Sequence, residues 1–131
     1  MEKEKTYKVL VVDDEADIRD SLKRKLEREG YEVVLAPSGE EALARVKDSD
    51  PDIILLDLML PGINGFEVLK EVKEKFIDRW RPVIIVSGQQ DLESTKQCYR
   101  LEADHYLTKP CGVEHILEGI RTMISLMPYK K

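Results

Sequence analysis

Carboxylates, a hydroxyl and an amine recur in this chain at one kind of place, just past the end of an apolar run. Asp13 and Asp14 follow Val9-Leu10-Val11-Val12, Asp57 follows Ile53-Ile54-Leu55-Leu56, and Ser87 follows Val83-Ile84-Ile85-Val86. A weaker run, Tyr106-Leu107, leads to Lys109 and Pro110. Ligands of a parallel sheet bind beside the carboxyl ends of its strands. Strands of this kind would therefore gather three carboxylates, one hydroxyl and one ammonium along one edge. Like-charged carboxylates crowded together repel unless a cation lies among them. Hard oxygen ligands without His or Cys suit Mg²⁺, which keeps several waters and binds one or two carboxylates plus a phosphate. Such a site is built for phosphoryl chemistry. Two roles are then open to Asp57: a metal ligand only, or a nucleophile that becomes an aspartyl phosphate. Mg²⁺, the Lys109 ammonium and the Ser87 hydroxyl would neutralise charge on the equatorial phosphoryl oxygens. Taken singly, each residue has an ordinary reading as a capping Asp, a loop Ser or a solvated Lys. The signal is their joint placement at the ends of different strands.

The elements that must position them alternate with a short period. Continuous Val, Ile and Leu runs bounded by polar residues read as strands buried on both faces. The pattern predicts strands over Tyr7–Val12, Tyr31–Ala36, Asp52–Asp57, Val83–Ser87 and Asp104–Leu107. Between them lie helical stripes. Ile18, Leu22 and Leu26 mark a helix over Ala16–Glu29 with Gly30 at its end. Ser38 and Glu41 fit a capping box, opening a helix to about Lys47 with Ala42, Leu43 and Val46 inward. Pro61-Gly62 and Asn64-Gly65 mark a tight loop, followed by a stripe of Phe66, Leu69, Val72 and Phe76. The helix over Asp91–Leu101 has a thin apolar face, chiefly Leu92, Cys98 and Leu101. The final helix carries Val113, Ile116, Leu117, Ile120, Ile124 and Met127. Five βα units in series imply a doubly wound α/β sheet with helices on both faces.

At 131 residues the chain reads as a single domain, residues 1–131, with no linker or repeat dividing it. It is 42% hydrophobic and 36% charged, as in a globular rather than a disordered protein. A net charge of −5 argues against a broad nucleic-acid face. No apolar run approaches the roughly 20 residues of a membrane helix, and the charged start lacks a secretory signal. Cys98 and Cys111 fit neither a metal spacing nor a disulfide framework. A reducing cytoplasm is the natural setting, and Cys98 reads as a small apolar residue on a helix.

The motifs Val11-Val12-Asp13-Asp14-Glu15, Leu56-Asp57-Leu58-Met59-Leu60-Pro61-Gly62-Ile63-Asn64-Gly65, Val86-Ser87-Gly88 and Tyr106-Leu107-Thr108-Lys109-Pro110 closely resemble the receiver domain of two-component response regulators. The resemblance covers essentially the whole chain, in order and at the family's spacing. It implies a flavodoxin-like sheet of five parallel strands in the order 2-1-3-4-5 with five helices. It implies that Asp57 takes a phosphoryl group from a phosphohistidine on a histidine kinase or histidine phosphotransfer protein. Asp14, Asp57 and the backbone carbonyl of Met59 would bind Mg²⁺ directly, with Asp13 acting through water. Lys109 would bind the phosphoryl oxygens, with Lys109-Pro110 a cis peptide. Ser87 would swing toward the phosphoryl group and let Tyr106 turn inward. The altered face, formed by the fourth helix, fifth strand and fifth helix, would engage a downstream protein or output domain, or a second copy in a phosphorylation-dependent dimer. The chain departs from the family at Cys111, where a bulky apolar residue is favoured, at Glu102, where Gly is, and at Gly88, where Ala is commoner.

Two other readings differ in class. A Mg²⁺-dependent phosphatase with an Asp nucleophile, of the haloacid dehalogenase kind, needs a second acid two residues after the nucleophile, where this chain has Met59. A pseudo-receiver that only binds partners would lack one of the acids or the lysine, and this chain keeps all of them. The protein reads as a signalling switch rather than an enzyme, showing only slow self-phosphorylation from small phosphodonors and slow autodephosphorylation. Met59 should flank the approach of the hydrolytic water, and Gln89, two residues after Ser87, can orient water but carries no charge. No helix-turn-helix or basic patch is present for direct contact with nucleic acid.

Overall fold

The most apolar runs take the most enclosed places. The computed structural model describes residues 5–88 and 92–127. Strand β3 (Ile53–Leu56), buried at every position, runs through the centre. It lies between β1 (Lys8–Val12) and β4 (Val83–Ser87), while the less apolar β2 (Glu32–Ala36) and β5 (His105–Thr108) form the edges. All pairings are parallel, in the order β2-β1-β3-β4-β5. Val12 sits opposite Leu56 in the register, so Asp13 and Asp57 leave neighbouring strands at one level. The Asp57 N–H still reaches back to the Val12 carbonyl at 3.0 Å.

The five helices, α1 (Ala16–Arg28), α2 (Gly39–Ser49), α3 (Gly65–Lys75), α4 (Leu92–Arg100) and α5 (Val113–Leu126), divide between the two faces. One core joins Leu10, Ile54 and Ile85 to Ala42, Val68, Leu69, Val72 and Cys98 of α2, α3 and α4. The other joins Val9, Leu55 and Ile84 to Leu26 of α1 and Ile116, Leu117, Ile120 and Met123 of α5. No described helix is long and apolar enough to cross a membrane.

Several local readings change in detail. The first three strands are shorter than expected, beginning at Lys8, Glu32 and Ile53, and the fifth is shifted one residue onward. Asn64 is not part of a free loop: its Oδ1 accepts from the Glu67 N–H at 3.1 Å and caps α3, which begins at Gly65. Ser38 Oγ accepts from the Glu41 N–H at 3.3 Å, but Glu41 makes no return bond among the described residues, so only half of the capping box forms. The anchors of α4 also differ. Leu92 is 66% exposed, and the buried positions of α4 are Ser94 and Cys98. Asp91 lies outside the described residues. Cys98 is fully enclosed, and burial pushes its thiol up to about 11, so it packs as an apolar group.

At the amino end of the sheet Asp104 acts as a hub. Its Oδ2 accepts from Lys73 Nζ of α3 at 2.8 Å and from the Val83 N–H that opens β4 at 2.8 Å. Its Oδ1 accepts from Trp80 Nε1 at 3.0 Å. Donors from α3, from the α3–β4 connection and from β4 thus meet at one carboxylate whose side chain is 14% exposed, Lys73 also reaching the Arg81 carbonyl at 3.3 Å. Removing it takes the charged partner from a partly buried ammonium and the acceptor from the Val83 N–H, both costly losses. Asp104→Ala should lower unfolding stability by about 2–4 kcal/mol and change the emission of Trp80, with Asp104→Asn losing less. Urea titration followed by tryptophan fluorescence measures both effects, and an unchanged midpoint would show that the hub carries no weight.

Candidate functional site

The expected residues converge at the carboxyl ends of the strands. Lys109 Nζ lies 2.8 Å from Asp13 Oδ2 and 3.0 Å from Asp57 Oδ2. One carboxylate oxygen from each of Asp13, Asp14 and Asp57 lies within 4.8 Å of the others. Asp13 and Asp57 are buried, at 4% and 7% exposure, whereas Asp14 faces solvent. Burial works against the charge of Lys109, but its contacts with Asp13 and Asp57 outweigh it and hold the ammonium above its ordinary value of 10.5.

Backbone groups fix the other carboxylate oxygens. The Glu15 N–H donates to Asp13 Oδ1 at 2.9 Å, and the Met59 N–H donates to Asp57 Oδ1 at 3.0 Å. Each buried carboxylate therefore has one oxygen tied to the chain and one facing Lys109. Gly65 explains how closely the Asp57 loop sits on α3. A Cβ there would lie 2.5 Å from the Asp57 carbonyl oxygen and 2.5 Å from Leu58 Cα, so any side chain would displace that loop.

Ser87 and Lys109 are joined through the backbone, the Lys109 N–H donating to the Ser87 carbonyl at 2.8 Å. The Ser87 side chain is fully buried at the end of β4. Tyr106 is half-buried on β5 and packs against the core shared with α4. The Lys109–Pro110 peptide is cis. The Met59 side chain is 62% exposed, and Gln89 lies outside the described residues. Glu102, at a position where the family favours Gly, has φ 69°, so the left-handed turn is kept with a side chain in it.

Two contributors had no signal in the sequence. Glu40 Oε1 of α2 accepts from the Ile63 N–H at 2.9 Å and so braces the Asp57 loop from outside. Arg19 of α1 donates to the Asp13 carbonyl at 2.7 Å. The first is set by tertiary contact, 23 residues apart in sequence, and the second by the course of the β1–α1 turn. Beside the site a cleft of about 550 Å³ opens between α1, α5 and the Lys109–Pro110 turn, walled by Ile18, Leu22, Val113 and Ile116. Cys111 lines it where a bulkier residue would fill the space.

The donor set fits a hard divalent cation. Two carboxylates face the Lys109 ammonium with a third beside them, no imidazole or thiolate joins the cluster, and the exposed Asp14 leaves room for the waters that Mg²⁺ retains.

Comparison with known proteins agrees with this geometry. Residues 9–121 match the family model described as response regulator receiver domain. The transcriptional regulatory protein ResD of Bacillus subtilis (strain 168) is 35% identical over 124 residues, covering 95% of this chain and 50% of that protein. The chain thus spans about half the length of this curated relative. Among solved structures, a CheY-like receiver domain protein from Methanospirillum hungatei JF-1 superposes with a TM-score of 0.88 at 32% identity, covering 95% of this chain and 98% of the other. The Vibrio cholerae chemotaxis protein CheY4 gives a TM-score of 0.84 at 30% identity, covering 90% and 98%. With the strand order, the acidic triad and the bridging lysine in place, the chain belongs to the receiver domain family of two-component response regulators.

Proposed function

We propose that Asp57 is the phosphoacceptor of this receiver and that the domain works as a signalling switch rather than a turnover enzyme. The observation that carries the reading is the Lys109 ammonium held between Asp13 and Asp57, with Asp14 open beside them. Asp14, Asp57 and the Met59 carbonyl would hold Mg²⁺, with Asp13 acting through water. When bound, the ion supplies positive charge to the phosphoryl oxygens. The phosphodonor is a phosphohistidine on a histidine kinase or histidine phosphotransfer protein. An Asp57 carboxylate oxygen bonds to phosphorus as the P–N bond to the imidazole breaks, and the ring leaves as neutral imidazole with the P–N electron pair on the freed nitrogen and the proton already on its other nitrogen. Lys109 then turns from the carboxylates to the new phosphoryl oxygens. Neither alternative class is favoured: Met59 stands where a phosphatase would need its second acid, and every acid of an active receiver is present.

The consequence is carried by Ser87 and Tyr106. Ser87 leaves its buried place to meet the phosphoryl group, and Tyr106 turns inward behind it. This alters the face made by α4, β5 and α5, the surface for a downstream protein, an output domain or a second copy. The residues 1–131 act as one cytoplasmic domain, with no direct nucleic-acid or membrane contact of their own. The small buried face of α4, Ser94 and Cys98, supports this reading, because a weakly anchored element shifts at low cost.

Three outcomes are expected. With Mg²⁺ and acetyl phosphate the protein should gain one base-labile phosphoryl group, and Asp57→Asn and Asp14→Ala should each abolish it. Intact mass spectrometry reads this, and full labelling of Asp57→Asn would sink the assignment. Trp80 binds Asp104 at the amino end of the sheet, about five strand residues and roughly 15 Å from the carboxyl edge. Its fluorescence should therefore barely change on adding Mg²⁺, and strong quenching at saturation would place the ion elsewhere. Beryllium fluoride with Mg²⁺ should alter amide hydrogen exchange more in residues 88–108 than in residues 16–47. The reverse pattern would move the output surface to α1 and α2.

A further inference from the structure

We propose that the groove between β5 and α5 is a second metal site, for a borderline divalent transition-metal ion such as Zn²⁺, held by His105, His115 and Glu118. The chain contains two histidines, and both line this one cleft of about 220 Å³, with Glu118, Gly119 and Thr122. His115, Glu118, Gly119 and Thr122 stand at i, i+3, i+4 and i+7, a single face of α5. The gap in that face is Gly119, and the His105 ring of β5 fills it. A Cβ on Gly119 would come 3.3 Å from His105 Cδ2. The strand therefore sets an imidazole beside the position that the i+4 side chain from His115 would occupy. Two histidines four apart on one helical face is a spacing that binds zinc, and here the second is supplied from the neighbouring strand. Glu118, on the same turn, offers a carboxylate oxygen as a third ligand, with water completing a four-coordinate ion.

The side chains of these residues are otherwise unused. Among the described residues none of the three forms a side-chain hydrogen bond or ion pair, although His105 is half-buried. His115 and Glu118 are exposed and hinge on their own side-chain torsions. Their donor atoms are not drawn together as those of the acidic triad are, so the ion would close the site by turning His115 and Glu118 inward over the fixed His105. Donor chemistry separates the two sites: carboxylates and carbonyls suit Mg²⁺, whereas imidazole suits zinc and its neighbours. A bound ion would tie edge strand β5 to α5, one residue from Tyr106.

The test is isothermal titration of tag-free protein with Zn²⁺ in saturating Mg²⁺, with Co²⁺ absorption as a spectroscopic check on coordination. One equivalent should bind, and His105→Ala and His115→Ala should each weaken it at least tenfold. Glu118→Gln should weaken it less. Gly119→Ala should also weaken binding, because it displaces the His105 ring without removing a donor. Labelling by acetyl phosphate and thermal unfolding should remain near wild type in His115→Ala, which separates failure of this site from failure of the Asp57 assignment. The proposal is overturned if no zinc binds, or if zinc binding survives both histidine substitutions and is lost in Asp57→Asn.

Discussion

Like charges held close together govern this structure. Three carboxylates, two of them buried, share a few ångströms with one ammonium. Such a cluster relaxes apart unless the backbone beneath it cannot move. That rigidity comes from β1, β3 and β4, whose apolar side chains are enclosed by helices on both faces. The Glu15 and Met59 amides then fix one oxygen of Asp13 and one of Asp57, leaving the others facing Lys109. The site formally carries three negative charges against one positive, an excess that a divalent cation would neutralise.

The two ends of the sheet are built for different tasks. At the amino end, charges are satisfied by short fixed contacts. Asp104 gathers Lys73, Trp80 and the start of β4, while Asp52 accepts from the Lys8 N–H at 2.7 Å and from Arg79 at 2.8 Å. Burial opposes the charge of Asp52, yet those two donors overcome it and hold the carboxyl below its ordinary 3.8. Stability from this lowered group is full above pH 3.8 and is lost as the pH falls from there through the folded-state value. At the carboxyl end the contacts centre on one lysine, which bridges Asp13 and Asp57.

The sheet was legible because its signal is local. A run such as Ile53–Leu56 can be enclosed on both faces and little else, and the acid after it marks the ligand edge. Positions set by tertiary contact were not legible. Glu40 looks like an ordinary helix-surface charge until the fold brings it to Ile63. The α4 stripe failed for a different reason. Leu92 and Cys98 are six residues apart and cannot share a helical face, whereas Ser94, Cys98 and Leu101 follow the i, i+4, i+7 spacing. A buried hydroxyl occupies the first of these positions, so counting apolar residues selects the wrong leucine. Glu102 shows the converse. The turn it occupies keeps the left-handed geometry of a glycine, so backbone demand there outlasts the residue type that signals it.

Strand β5 is the mechanical meeting point of these features. Alternation along a strand sends successive side chains to opposite faces. Tyr106 accordingly packs into the core shared with α4, while Leu107 packs into the core shared with α5, and His105 meets Gly119 on that same side. As an edge strand, β5 pairs only with β4 in the sheet, as β2 pairs only with β1 at the other edge. A shift that lets Tyr106 move on one face must also move its neighbours on the other. The same strand ends at Thr108, next to Lys109, and the Lys109 amide is bonded to the Ser87 carbonyl. Strand β5 thus links the carboxylate site, through Lys109, to the cores on both faces of the sheet.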